Sequence, residues 1–244
     1  MNVRKALNLS LDRNVITDKV LGQGQTPTYV FTPTYIEEGQ LIQQPAYSKE
    51  PMAQRNEEAI KLLEEAGYSK ANPLKFSILY NTNENHKKVA IAAASMWKAN
   101  TKGLIDVKLE NQEWKTYIDS RRAGRYDAAR AGWNADYNQA TTFGNYFLSN
   151  SSNNTAKYAN PEYDKAIAES YVATDAEGRA KAYAKAEEIL AKDFGIVPIF
   201  NYVNPRLVKP YVKGYSGKDP QDHILLTQPF ILLNINSLLV FKCG

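Results

Sequence analysis

Between residues 74 and 133 the apolar period of the sequence switches back and forth, and few folds tolerate that alternation. Leu74, Phe76, Ile78 and Tyr80 alternate with polar residues as a half-buried strand does. Ile105, Val107 and Leu109 repeat the pattern. Between them, residues 86–98 read as a helix that Asn83 or Asn85 can cap. Residues 113–122 read as a shorter helix stopped at Gly124, and residues 126–133 as a third strand. Strands alternating with helices of this length predict βαβ units, a parallel or mixed sheet and an α/β fold.

The flanks fit that class. Val3, Ala6, Leu7, Leu9 and Leu11 predict a helical face within residues 2–21, closed by Gly22 and Gly24. Residues 26–48 read as an irregular loop, too apolar for a linker. Residues 55–66 form an amphipathic pattern with Gly67 placed as a helix stop. Residues 149–155 read as a loop. Asn160-Pro161 marks a helix start, Thr174 to Glu177 a capping box, and residues 195–200 a buried strand near an edge because of Pro198. From residue 224 the chain is apolar and almost uncharged.

Composition narrows the chemistry. At 244 residues the chain can bury a substantial core as one large α/β domain or two small ones. Thirty basic and 26 acidic residues give a net charge of +4, too scattered to point to nucleic acid. The one cysteine, Cys243, excludes an internal disulfide and a cysteine-based zinc site. The two histidines, His86 and His223, lie far apart in sequence. No segment reaches the roughly 18 apolar residues of a membrane span, and no signal peptide is visible. With Met1 followed at once by a helical pattern, the chain is expected to begin inside a larger protein.

Six side chains suit a ligand. Arg130 falls in the third strand among small neighbours and needs a partner, either an internal carboxylate or that of a ligand. Asp136 follows in a polar loop just past the strand, where α/β proteins place ligand groups; a turn or cap carboxylate is the plainer reading. Together the pair suits the two charged ends of a zwitterion. Arg121, like Arg122, sits at a helix end where the dipole favours cations, and His86 at a helix start; both read as surface residues first. Trp114 and Trp133 read as core filling or as stacking platforms. An α/β hydrolase using carboxylate pairs and a fragment without activity remain alternatives.

Several segments carry a resemblance. Asn111-Gln-Glu-Trp-Lys-Thr116, Ala129-Arg-Ala-Gly-Trp133, Ala135-Asp-Tyr-Asn138, Ser152-Asn-Asn-Thr155 and Arg206-Leu-Val-Lys-Pro210 closely resemble periplasmic oligopeptide-binding proteins of bacterial ABC importers, solute-binding protein family 5. The resemblance runs from about Val3 to His223. It implies the second lobe of a periplasmic-binding-protein-like (type II) fold, a mixed sheet flanked by helices, truncated. Residues 1–200 would be that lobe, 201–226 the return into a first lobe, and 227–244 an atypical apolar tail.

By position, the resemblance assigns the peptide ammonium to Asp136. It assigns the carboxylates of peptides of different length to Arg130, Arg121 and His86, and pocket walls to Trp114 and Trp133. It implies short peptides and an inner-membrane ABC permease as partners, no nucleic acid, no cofactor and no catalysis. A monomer is expected, with the periplasm as the compartment of the full-length protein. Asn134 stands where some members carry a cysteine, so a disulfide known in the family cannot form here.

Overall fold

The computed structural model describes residues 1–204, 206–213 and 230–231. In chain order the first elements are α1 (Asn2–Leu9), β1 (Thr26–Pro27), α2 (Met52–Glu65), β2 (Leu74–Asn81), α3 (Glu84–Asn100), β3 (Ile105–Gln112) and α4 (Trp114–Arg122). They are followed by β4 (Ala128–Ala129), α5 (Thr141–Gly144), α6 (Pro161–Val172), α7 (Ala176–Lys192), β5 (Phe200–Asn201), β6 (Val212–Lys213) and β7 (Phe230–Ile231). Apart from residues 230–231, the expected apolar tail lies outside the described residues, as does most of the expected return segment.

The centre is a three-stranded sheet in the order β3-β2-β4. Both pairings of β2 are parallel, Leu74 to Asn81 matching Ile105 to Gln112, and Ile78-Leu79 matching Ala128-Ala129. The α/β expectation therefore holds, and the mixed character comes from separate antiparallel pairs, β1 with β5 and β6 with β7.

Local chemistry explains most boundaries. The Asn83 side chain accepts the His86 N–H and starts α3, and Asn160 does the same for α6, whose first residue is Pro161. After α2, Gly67 adopts φ +89°; its N–H reaches Glu64 O while Tyr68 N–H reaches Leu63 O, a Schellman stop.

Four expectations need correction. The first helical face breaks after Leu9. A π-helical segment, Val15–Leu21, follows, because the Asp12 carboxylate takes the N–H groups of Asn14 and Val15. The cap of α7 is Asp175, accepting Gly178 N–H, rather than Thr174. The third strand shrinks to two residues. There Asp127 supplies a side-chain acceptor to Ser77 N–H (2.8 Å), and Arg130 O is taken by the Tyr117 hydroxyl. Finally, residues 195–199 stay out of a ladder because side chains claim their carbonyls: Asn8 binds Ile196 O (3.0 Å) and Arg13 binds Pro198 O (2.7 Å).

Two apolar clusters fill the interior. One joins α1, α2 and α3 to the sheet through Leu9, Ile16, Leu63, Ile78, Trp97 and Ile105. The other gathers Phe143, Phe147, Tyr163, Ile167, Tyr183 and Leu190 of the later helices beneath residues 135–140. No helix of the described residues is long and apolar enough to cross a membrane.

Arg13 ties distant segments together. It is fully buried, and its guanidinium donates to Thr28 O, Pro198 O, Asn8 O, Leu11 O and Asn8 Oδ1 while lying 4.0 Å from the Tyr29 ring centre. Burial pushes its pKa down. Leucine at this position strands several buried acceptors, each worth about 1–3 kcal/mol. Arg13→Leu is expected to lower stability in urea unfolding by at least about 3 kcal/mol; a loss below about 1 kcal/mol would show that the carbonyls find other donors.

Candidate functional site

Parallel pairing sends the C-terminal ends of β2, β3 and β4 to the same edge of the sheet, where ligand groups gather in α/β folds. Each strand end delivers candidate residues. Beyond β2, the first turn of α3 carries His86. Beyond β3, α4 opens on Trp114 and ends with Arg121. Beyond β4 come Arg130, Trp133 and Asp136.

A chain of contacts connects five of the six, and His86 joins them through the charge of Arg130. His86, half-buried, lies within the field of Arg130. Arg130 donates its N–H to Leu79 O (2.8 Å), and its own carbonyl accepts the buried Tyr117 hydroxyl. Trp114 packs its ring 5.7 Å from that of Tyr117, and the Arg121 guanidinium lies 5.5 Å from the same ring. Arg121 Nη2 donates to Tyr146 Oη and Thr155 Oγ1, both at 3.0 Å. Tyr146 meets Trp133 edge to face at 5.0 Å. Trp133 Nε1 donates to Thr142 Oγ1 (3.3 Å), and that hydroxyl donates to Asp136 Oδ2 (3.0 Å) while accepting Asp136 N–H (3.1 Å).

The sequence-based readings of these side chains change accordingly. Among the described residues, Arg130 is met by the Tyr202 hydroxyl and ring rather than by an internal carboxylate. Arg121 is half-buried, not a plain surface cation, and its Nε has no hydrogen-bond partner among the described residues. Trp114 is 61% exposed, so it does not fill the core. Trp133 is half-buried against Tyr146. Asp136 keeps an exposed carboxylate on a loop fixed by Thr142. Among the described residues, neutral hydroxyls thus hold both guanidinium groups without neutralising their charge.

Tyr117, Tyr146, Thr142, Thr155 and Tyr202 escaped the sequence reading. The abundance of tyrosine hinted at hydroxyl-lined surfaces, but nothing in the spacing marked Thr142. Tyr202 lies so close over Gly132 that a Cβ there would fall 2.0 Å from its hydroxyl. A larger residue at that position would have to displace the Tyr202 side chain.

Comparison with known proteins decides the family. The family model described as bacterial extracellular solute-binding proteins, family 5 Middle, matches residues 1–155. The chain belongs to solute-binding protein family 5. The periplasmic oligopeptide-binding protein OppA of Haemophilus influenzae is 94% identical over 232 residues, which are 95% of this chain and 43% of that protein. OppA of Salmonella typhimurium is 52% identical over 95% of this chain and 42% of its own length. This family 5 chain thus spans less than half the length of the curated relatives it matches.

Solved structures agree. A crystal structure of H. influenzae OppA in complex with RPPGFSPFR superposes with a TM-score of 0.88, covering 94% of this chain and 45% of that one, at 94% identity. The Escherichia coli murein tripeptide-binding protein MppA gives a TM-score of 0.85 at 43% identity, covering 94% of this chain and 45% of its own. The α/β architecture is that of the type II periplasmic binding proteins.

His86 provides a test of the electrostatics. Its Nδ1 lies 2.7 Å from Asn81 Oδ1, an acceptor, so that nitrogen carries the proton in the neutral ring. Burial, and then the Arg130 charge, lower its pKa from 6.5 to about 4. Between pH 4 and 6.5 the folded state therefore holds fewer protons than the unfolded state. The stability contribution is complete above 6.5 and is lost as the pH falls toward 4. An NMR titration of the ring is expected to show a midpoint near 4, rising in Arg130→Met but staying below 6.5 because burial dominates. A midpoint near 6.5 in the unsubstituted chain would contradict this geometry.

Proposed function

We propose that this segment forms one wall of a peptide-binding cleft, within a full-length periplasmic protein that delivers short peptides to an inner-membrane ABC permease. The observation that carries the reading is its close superposition on a 94%-identical protein solved with RPPGFSPFR. The placement of all six residues beyond strand ends at one edge of the sheet supports it independently.

In this reading Asp136 accepts hydrogen bonds from the peptide α-ammonium. Arg130, Arg121 and His86 receive the carboxylates of peptides of different length, and Trp114 and Trp133 border side-chain pockets. Recognition of the ends and of the extended main chain leaves the middle side chains unread, which suits a carrier of many sequences. The protein binds and releases its ligand unchanged, without cofactor or catalysis, as a monomer. Residues 1–200 belong to the second lobe, 201–226 to the return into the first, and 227–244 to the atypical apolar tail.

Asp136 is the sharpest test. In a full-length protein carrying this segment, Asp136→Ala is expected to weaken a free-amine tripeptide by about 2–5 kcal/mol, because a charge-assisted contact is lost. The same substitution should leave the N-acetylated twin nearly unaffected. Calorimetry with equal affinities in the two proteins would remove Asp136 from the site.

A further inference from the structure

We propose that Glu38 and Arg179 form a positioning pair that sets the geometry of the Asp136 loop; the inference rests on the reading of Asp136 as the ammonium site. Glu38 is 1% exposed and sits at φ +65°, a left-handed conformation that a non-glycine residue adopts only at a cost. Its Oε1 accepts from Arg179 Nε of α7, whereas its Oε2 is buried without a hydrogen-bond partner among the described residues. A buried carboxylate left half-satisfied contributes little to stability, since an apolar side chain there would avoid the desolvation. Strain and a costly ion pair at one residue point to a geometric role.

That geometry acts on residues 135–140. Glu37 O accepts Ala140 N–H (2.9 Å), Glu37 N–H reaches Asn138 Oδ1 (3.4 Å), and Ile36 packs in one cluster with Ala135 and Ala140. The turn carrying Glu38 thus touches the loop both before and after Asp136. It is itself tightly wound: a Cβ on Gly39 would lie 2.6 Å from Pro33 O. From the other side the loop is held by Thr142 of α5. α7 anchors both supports, because Arg179 grips the turn and the Tyr183 hydroxyl meets Thr141 Oγ1 at 2.5 Å. The Asp136 loop is suspended between two attachments to one helix, and the Glu38–Arg179 pair fixes one of them.

The test is calorimetric titration of a full-length protein carrying this segment, with tri-lysine and with N-acetylated tri-lysine. The unsubstituted protein should prefer the free amine. Arg179→Met should reduce free-amine affinity roughly tenfold or more, as small misplacements of a binding group do, and leave the N-acetylated peptide unchanged. Arg179→Lys, which keeps the ion pair, should restore the preference. Equal losses for both peptides, or none, would overturn the positioning role while leaving Asp136 in place. No preference in the unsubstituted protein would instead remove the ammonium reading, and this proposal with it.

Should Arg179→Met fail to fold, Arg179→Gln carries the same expectation. A second readout comes from the 244-residue chain itself. The Ala140 amide should exchange with solvent faster in the Arg179 variants; unchanged exchange there would count against the proposal.

Discussion

Parallel pairing of β2 with both its neighbours is the constraint from which the rest follows. Parallel strands cannot be joined by hairpins, so α3 and α4 must carry the chain back across the sheet. Every strand then ends at the same edge, and every crossover begins there. His86, Trp114 and the pair Arg130 and Asp136 come from separate parts of the sequence yet collect at that edge because each follows a strand end. The helix N-termini of α3 and α4 open at the same place, which adds a favourable environment for anions.

Long irregular segments need a different support, and here buried polar groups supply it. Residues 26–48 contain only a two-residue strand and one short 3-10 turn, so their backbone groups must find side-chain partners. Arg13 holds Thr28 O. Glu187, fully buried on α7, accepts Phe31 N–H, Thr32 N–H and the Thr32 hydroxyl. Burial raises its pKa, while those three donors oppose the shift. Glu38 completes the set through Arg179. Each anchor spans a long stretch of sequence, so the loop is part of the tertiary structure rather than a local element.

The candidate site combines fixed position with available charge. Arg121 and Arg130 are steadied by phenols and a threonine, groups that orient a guanidinium without neutralising it. Their mutual neighbour Tyr117 uses both its hydroxyl and its ring, so the spacing of the two cations is set by one buried side chain. The carboxylate of Asp136 lies on the far side of Trp133 and Thr142, separated from the cations by hydroxyl and aromatic contacts. The proposed role in holding an extended zwitterion would use this separation of one carboxylate from the two cations.

Local sequence determined the alternation of strands and helices, the caps at Asn83 and Asn160, the stop at Gly67, and the residue types of the site. These are short-range matters of periodicity, capping and φ preference, and a stretch of ten residues contains them. Its errors came from partners outside that window: Asp127 binds Ser77, 50 positions away, beside a shortened third strand, and Asn8 and Arg13 claim the carbonyls of residues 196 and 198 from 188 and 185 positions away. Only the tertiary structure decided that Arg130 meets Tyr202, that Thr142 holds Asp136, and that Glu38 pairs with Arg179. Those contacts join residues as far as 141 positions apart. Their partners are set by the packing of helices onto the sheet, which no local pattern encodes.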